Sequence, residues 1–433
     1  ITGDCMKIIF KLILLFGVSL YLVLPALALS YYDINKPGIE KLKLSITANG
    51  SSDIIDPVVE QLRSQMQKTL LFNIVDDSDE ATYNLDINPT PDQKIISVKL
   101  SGAQGTSFEA ITTGMKFRNE DEEYINLKSS QLGNFLTKNL MGIKGSLGSI
   151  LVWSAAKKGE GQNSLIMQRF GAEKSQKVTY NFFNNTGVSW NPKGDAIIYS
   201  AQTGNGSEVL WQGFLPLRLK SESIYFDEGK GSSASWGSNG KVYLAKYMGG
   251  KNTDIIEYEF VTGGTTPSLE RIRRITKHSA IETEPVLSPD GETLAYISDK
   301  TGSPQIYLMD LSTKKSRRLT LSDKYNINPA WSPDGSMIAY CNVKNNKSTV
   351  FRIGVDDNII GLGRQVSPNG MNAESPVWSP DGSMIAYSGN KGTGIGSKWK
   401  IYYSLSSGGS ASRLTNSADG INETNPAWNS GLK

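Results

Sequence analysis

Asn328-Pro329-Ala330-Trp331-Ser332-Pro333-Asp334-Gly335 leads, two residues on, into Ile338-Ala339-Tyr340, and this phrase returns along the chain. Ser375-Pro376-Val377-Trp378-Ser379-Pro380-Asp381-Gly382 leads to Ile385-Ala386-Tyr387, and Glu284-Pro285-Val286-Leu287-Ser288-Pro289-Asp290-Gly291 to Leu294-Ala295-Tyr296. Looser copies are Val188-Ser189-Trp190-Asn191-Pro192-Lys193-Gly194 and Ala234-Ser235-Trp236-Gly237-Ser238-Asn239-Gly240. A sixth copy, Asn425-Pro426-Ala427-Trp428, lies close to residue 433. The six anchors at 190, 236, 287, 331, 378 and 428 are 46, 51, 44, 47 and 50 residues apart. A repeat of that length built from short strands and turns is a propeller blade. Pro pre-sets the tight turn, Asp bonds its own backbone, and Gly takes the positive φ. The anchor supplies the large apolar plate that neighbouring sheets need in order to pack face to face.

The sixth anchor has an inner strand but no room for three more. Ile150-Leu151-Val152-Trp153, Ser164–Phe170 and Lys177–Tyr180 supply three strands with no anchor before them. The C-terminal strand is therefore expected to join these three and close the ring, which removes two exposed sheet edges.

Ahead of the repeats the periodicity differs. Leu42–Thr47, Tyr83–Asn88 and Lys94–Ser101 alternate as half-buried strands, while Val59, Leu62, Met66 and Leu70 stand at helical spacing behind Asp56-Pro57. Leu132, Phe135, Leu136, Leu140 and Ile143 suggest a second helix. The fold class expected is mainly β: a six-bladed propeller over 146–433 behind a small α+β domain over 39–145. The N-terminus reads as a secretory signal peptide over 1–28, with Ile1–Cys5 upstream of a start at Met6. Lys7 and Lys11 precede an apolar run Leu12–Leu24 and an Ala-x-Ala end at Ala26–Ala28, which places the protein outside the cytoplasm. Residues 29–38 are expected to be a mobile segment ending in Lys36-Pro37-Gly38.

Composition argues against several functions. The formal net charge is +3 with 20% charged residues of mixed sign, so no nucleic-acid partner is indicated. The basic clusters Arg271/Arg273/Arg274 and Lys314/Lys315/Arg317/Arg318 read as solvated outer strands. There is one histidine, His278, and beyond the signal segment one cysteine, Cys341. That inventory supports neither a Ser-His-Asp hydrolase nor a zinc site, and no Gly-x-Ser-x-Gly elbow is present. No cofactor and no metal are expected. Asp290, Asp334 and Asp381 recur in the same turn of different blades and read as turn chemistry.

The segments just before each anchor lie at one rim of the central channel. Their polar residues are Thr186, Ser233, Glu282, Thr283, Glu284, Asn326, Asn328, Glu374, Glu423 and Thr424, a set suited to binding a protein or peptide. A carbohydrate-binding, lectin-like propeller is the alternative.

The order of signal peptide, α+β domain and six Pro-x-Trp-Ser-Pro-Asp-Gly repeats resembles the TolB family, the periplasmic component of the Tol–Pal envelope system. The resemblance implies a non-enzymatic scaffold, monomeric on its own, that serves outer-membrane integrity, protein import and cell division. It also implies a Pal-like peptidoglycan-associated lipoprotein docked over the channel mouth, with Thr283-Glu284-Pro285 matching the family's Thr-Glu-Pro. A TolA-like inner-membrane partner would engage Leu29–Asn35.

Overall fold

The computed structural model describes residues 40–429 apart from 52, 54, 90–94, 103–109, 117–120, 158–160, 182, 205, 216–217, 225–230, 251, 263–266, 322–324, 357–362, 393–397 and 419. The expected signal peptide, the segment 29–38 and its handle Leu29–Asn35 lie outside the described residues.

The N-terminal unit is a five-stranded sheet against two helices. β1 (Leu42–Ala48), α1 (Ile55–Lys68), β2 (Phe72–Val75), β3 (Tyr83–Pro89), β4 (Ile95–Gly102), β5 (Ile111–Lys116) and α2 (Glu122–Met141) follow in order. The sheet runs β2-β1-β3-β4-β5, with β1 parallel to both neighbours and the remaining pairs antiparallel. Leu44 and Ile46 of β1, Val58, Leu62 and Met66 of α1, and Leu132 and Leu136 of α2 form its dry core. Asp56 lies inside the first turn of α1 and not at its cap as expected, where its carboxylate still complements the helix dipole. α2 begins ten residues before the apolar positions that announced it. Asp121 caps it by accepting from the Glu123 amide, and Gly142 ends it at φ 73°.

From Asn184 onward the chain forms four-stranded antiparallel blades. The first comprises Asn184–Trp190, Ala196–Thr203, Gly206–Leu215 and Arg218–Ile224; the second Gly231–Trp236, Val242–Gly249, Asn252–Val261 and Ser268–Arg274. The third comprises Glu282–Leu287, Thr293–Ser298, Gln305–Asp310 and Ser316–Arg318; the fourth Asn326–Trp331, Met337–Lys344, Lys347–Gly354 and Arg364–Gln365. The fifth comprises Asn372–Trp378, Met384–Asn390, Lys400–Leu405 and Ser412–Arg413. The sixth joins Ile421–Asn429 as inner strand to Ile150–Lys157, Asn163–Arg169 and Ser175–Lys177, so the ring closes as the repeat pattern requires.

The repeated turn works as its residues suggest. In the third blade the Ser288 hydroxyl bonds the Asp290 carboxylate and accepts from the Thr293 amide at 2.9 Å, while Asp290 accepts from the Glu292 amide at 3.0 Å. Ser332 with Asp334 and Ser379 with Asp381 repeat this arrangement. The bonds from Ser288 and the backbone hold the Asp290 carboxyl below its usual range.

The anchors join blades by hydrogen bonds as well as by area. The indoles of Trp190, Trp331 and Trp378 donate to the carbonyls of Ala427, Val286 and Ala330 on the preceding inner strand, at 3.4, 3.0 and 3.1 Å. The two units share one apolar cluster. Phe170, Tyr403, Met384 and Trp428 of the propeller continue the core of Leu62, Met66 and Leu132, with Phe170 edge-on to Tyr403 at 5.4 Å.

Candidate functional site: the channel mouth

Every inner strand breaks register at the same place. The residue three before each anchor lies in the left-handed region: Gly187 (64°), Ser233 (51°), Glu284 (50°), Asn328 (53°), Ser375 (52°) and Asn425 (54°). Each falls within a β-bulge in the pairing of the first and second strands. Five of the six carry a side chain in a conformation that disfavours one by about 1 kcal/mol. Such strain persists where surrounding structure enforces it, and it marks sites that present groups to a partner. In the last four copies the next residue is proline, which has no N–H to lose from the broken ladder.

The bulges turn these side chains toward their neighbours. Glu284 accepts from the Asn328 amide at 2.8 Å and from its Nδ2 at 3.0 Å. Thr283 donates to the Ser233 hydroxyl at 3.3 Å, and Ser375 donates to Asn425 Oδ1 at 2.9 Å. Asn425 Nδ2 in turn bonds Thr186 Oγ1. A polar ring thus links blades two to three, three to four, five to six and six to one. Between blades four and five stands Glu374, half-buried, with no partner among the described residues. Burial raises the carboxyls of both Glu284 and Glu374 above the usual range, although the two bonds from Asn328 partly offset this for Glu284. Both act on Cys341 between them, whose thiol is pushed up to about 12, chiefly by burial.

Thr186, Ser233, Thr283, Glu284, Asn328, Glu374 and Thr424 are all half-buried, near the bulges of their inner strands. Glu282, Asn326 and Glu423 must be corrected: they are 2, 1 and 2% exposed and lie beneath the rim. Asn326 Nδ2 donates to Gln305 Oε1 at 2.9 Å, and Glu423 accepts from the Trp153 indole at 3.0 Å and from Ser417 Oγ at 2.9 Å. Glu282 accepts from Ser298 Oγ at 3.3 Å. The alternation of the inner strand turns them inward, toward the third strand of the preceding blade and the residues that follow its fourth strand.

That fourth strand carries a signal missed in the sequence. Lys177-Val178-Thr179, Arg274-Ile275-Thr276, Arg318-Leu319-Thr320, Gln365-Val366-Ser367 and Arg413-Leu414-Thr415 each end on a hydroxyl that accepts a third-strand amide at 2.9–3.3 Å. The arginines donate Nε to the carbonyl of that hydroxyl residue. Much of the basic outer belt is thereby structural. Ser375 and Asn425, absent from the expected set, complete the ring.

Six blades closed by the last strand, set against an α+β unit, define a two-domain propeller protein with a polar channel mouth. A family model described as the TolB beta propeller domain matches residues 267–432. The Tol-Pal system protein TolB of Francisella tularensis subsp. tularensis (strain WY96-3418) is 33% identical over 85 residues, 19% of this chain and 18% of that protein's length. The crystal structure of TolB from Acinetobacter baumannii superposes with a TM-score of 0.73 at 19% identity, covering 90% of this chain and 96% of that one. A chain of Kuenenia stuttgartiensis hydrazine synthase superposes with a TM-score of 0.51 at 11% identity, over 66% of this chain and 47% of that one. The family model matches part of the propeller, and the Acinetobacter baumannii structure shares the fold over 90% of this chain.

Proposed function

We propose that this chain is the periplasmic, non-enzymatic scaffold of a Tol–Pal system, and that its channel mouth binds a Pal-like peptidoglycan-associated lipoprotein. The observation that carries the reading is the ring of six bulges, which holds Thr186, Ser233, Thr283, Glu284, Asn328 and Asn425 in a fixed polar frame. A rigid frame loses little side-chain freedom when a partner docks. Glu374 stands at one of the two boundaries those bonds leave open, its carboxylate unpaired among the described residues and available to a donor from outside. Thr424 lines the same mouth. The N-terminal part, Leu29–Asn35 in particular, engages a TolA-like protein, and the assembly supports outer-membrane integrity and cell division. Catalysis is disfavoured by chemistry: the Cys341 thiol is buried and protonated, and the His278 ring is tied to its own loop through the Ala280 amide at 3.1 Å.

The test is a pull-down of the Pal-like lipoprotein with the wild type, Glu374→Lys and Glu284→Arg. Glu374→Lys breaks no bond within the described residues and should weaken capture at least tenfold, about 1.4 kcal/mol, with unchanged melting. Unaltered capture by both variants overturns the reading. Capture of oligosaccharide in place of lipoprotein would replace it with the lectin alternative.

A further inference from the structure

At several blade boundaries the residue five before the anchor faces the start of the preceding blade's third strand. At the boundary of blades three and four that pair is Gln305 with Asn326, bonded at 2.9 Å. At blades five and six it is Lys400 with Glu423, an ion pair at 3.8 Å. At blades two and three it is Asp254 with Glu282, two carboxylates. Both are buried, at 0 and 2% exposure, and the parallel bridge Thr253–Ile281 sets them side by side.

The charges around this pair do not cancel the conflict. Arg274 pairs with Asp254 from the fourth strand, and Lys246 stands opposite Asp254 across the second. The His278 amide donates to Asp254 Oδ1 at 3.3 Å. Glu282 Oε1 receives Ser298 Oγ, while its Oε2 has no partner among the described residues. Lys300, whose charge acts on Glu282, makes its bonds elsewhere. Its Nζ bonds the Tyr296 hydroxyl and Ser316 Oγ, both at 3.2 Å, and sits 3.9 Å from the centre of the Tyr307 ring. The Tyr296 hydroxyl is itself pushed up to about 12, chiefly by burial.

We propose that the boundary between the second and third blades is a proton-responsive seam. With both carboxylates ionised their repulsion loosens it. When Glu282 takes one proton from solvent, its orphaned oxygen becomes a donor to Asp254 and the seam tightens. The connection Thr276–Ile281 spans the seam, hung on Asp254 through His278 and on Asp299 through the Ile281 amide at 2.8 Å. It leads directly into Thr283 and Glu284.

Burial raises the Glu282 carboxyl above its usual range, aided by the charge of Asp254 and outweighing the influence of Thr276, Lys300 and His278. A carboxyl raised on folding binds its proton more tightly in the ordered state. Its contribution to order is complete below the unfolded value and is lost as pH rises through the folded one.

The test compares hydrogen exchange of the full chain at pH about 4, below the ordinary glutamate value, and at pH about 8. After correction for intrinsic rates, amides of residues 275–284 should exchange severalfold more slowly at the lower pH. Glu282→Gln should exchange slowly at both pH values, while the exposed control Glu270→Gln keeps the wild-type difference. No pH difference in the wild type, or faster exchange in Glu282→Gln at the higher pH, overturns the seam. Should Glu282→Gln fail to fold, a carbon-13 titration of wild-type Glu282 decides: a midpoint at or below the ordinary glutamate value refutes the proposal, and one above it supports it.

Discussion

Trp428 donates its indole N–H to the hydroxyl of Ser149 at 2.7 Å, although 279 positions separate them in sequence. The contact fastens the closing strand where the α+β unit meets the propeller, with the Phe170 ring centred 5.0 Å from the same indole and tilted 55° to it. Trp428→Ala removes a side chain only 8% exposed and its bond to Ser149, whose hydroxyl keeps its donation to the Ser146 carbonyl. We expect a loss of about 3–5 kcal/mol, read as a lower urea midpoint. Deleting Ile421–Asn429 should abolish the single cooperative transition, since two sheet edges are then exposed.

The bulge ring makes a second prediction. At Gly187 a methyl group would meet nothing nearer than Ser200 Oγ at 3.7 Å, so its φ of 64° alone sets the cost of a side chain. Gly187→Ala should destabilise by about 1 kcal/mol in chemical denaturation, with the channel contacts unchanged.

Elsewhere glycine is required by space rather than by φ. A methyl on Gly389 in the fifth blade would come within 2.6 Å of the Tyr402 ring and 3.2 Å of Met371 Sδ. Gly389→Ala should cost about 1–3 kcal/mol by overpacking and broaden the thermal transition of the fifth blade. An unchanged melting curve would show that Tyr402 yields freely.

Glu374 gives a pH prediction. Its carboxyl is raised by burial alone, so its favourable contribution is present when protonated and lost as pH rises through the folded value. Glu374→Gln should therefore melt above the wild type at neutral pH, with the difference shrinking as pH falls through the carboxylate range. A constant difference across that range would disprove it.

The blade count and the closure were legible because the turn Ser-Pro-Asp-Gly and the Trp anchor each answer a local demand that few other residues meet. β2 and β5 were not legible: Phe72–Val75 is four residues long, and the sheet-edge strand Ile111–Lys116 buries neither face fully. The mouth was half legible. Alternation along an inner strand tells which residues share a face, but a bulge resets that alternation, and nothing in Asn422-Glu423-Thr424-Asn425 announces where it falls. Hence Glu423 was placed at the rim and Asn425 was passed over. The Arg-x-Thr triplets before three of the inner strands would have flagged the inward turn of Glu282, Asn326 and Glu423.

The repeated left-handed residue has a consequence for how such a mouth can diversify. Backbone shape at those six positions comes from register and neighbouring turns, since glycine, serine, glutamate and asparagine all occupy it with φ between 50° and 64°. Identity at each position is therefore decoupled from architecture. Lineages can rewrite the lettering around the opening, one blade at a time, while the frame that displays it stays the same.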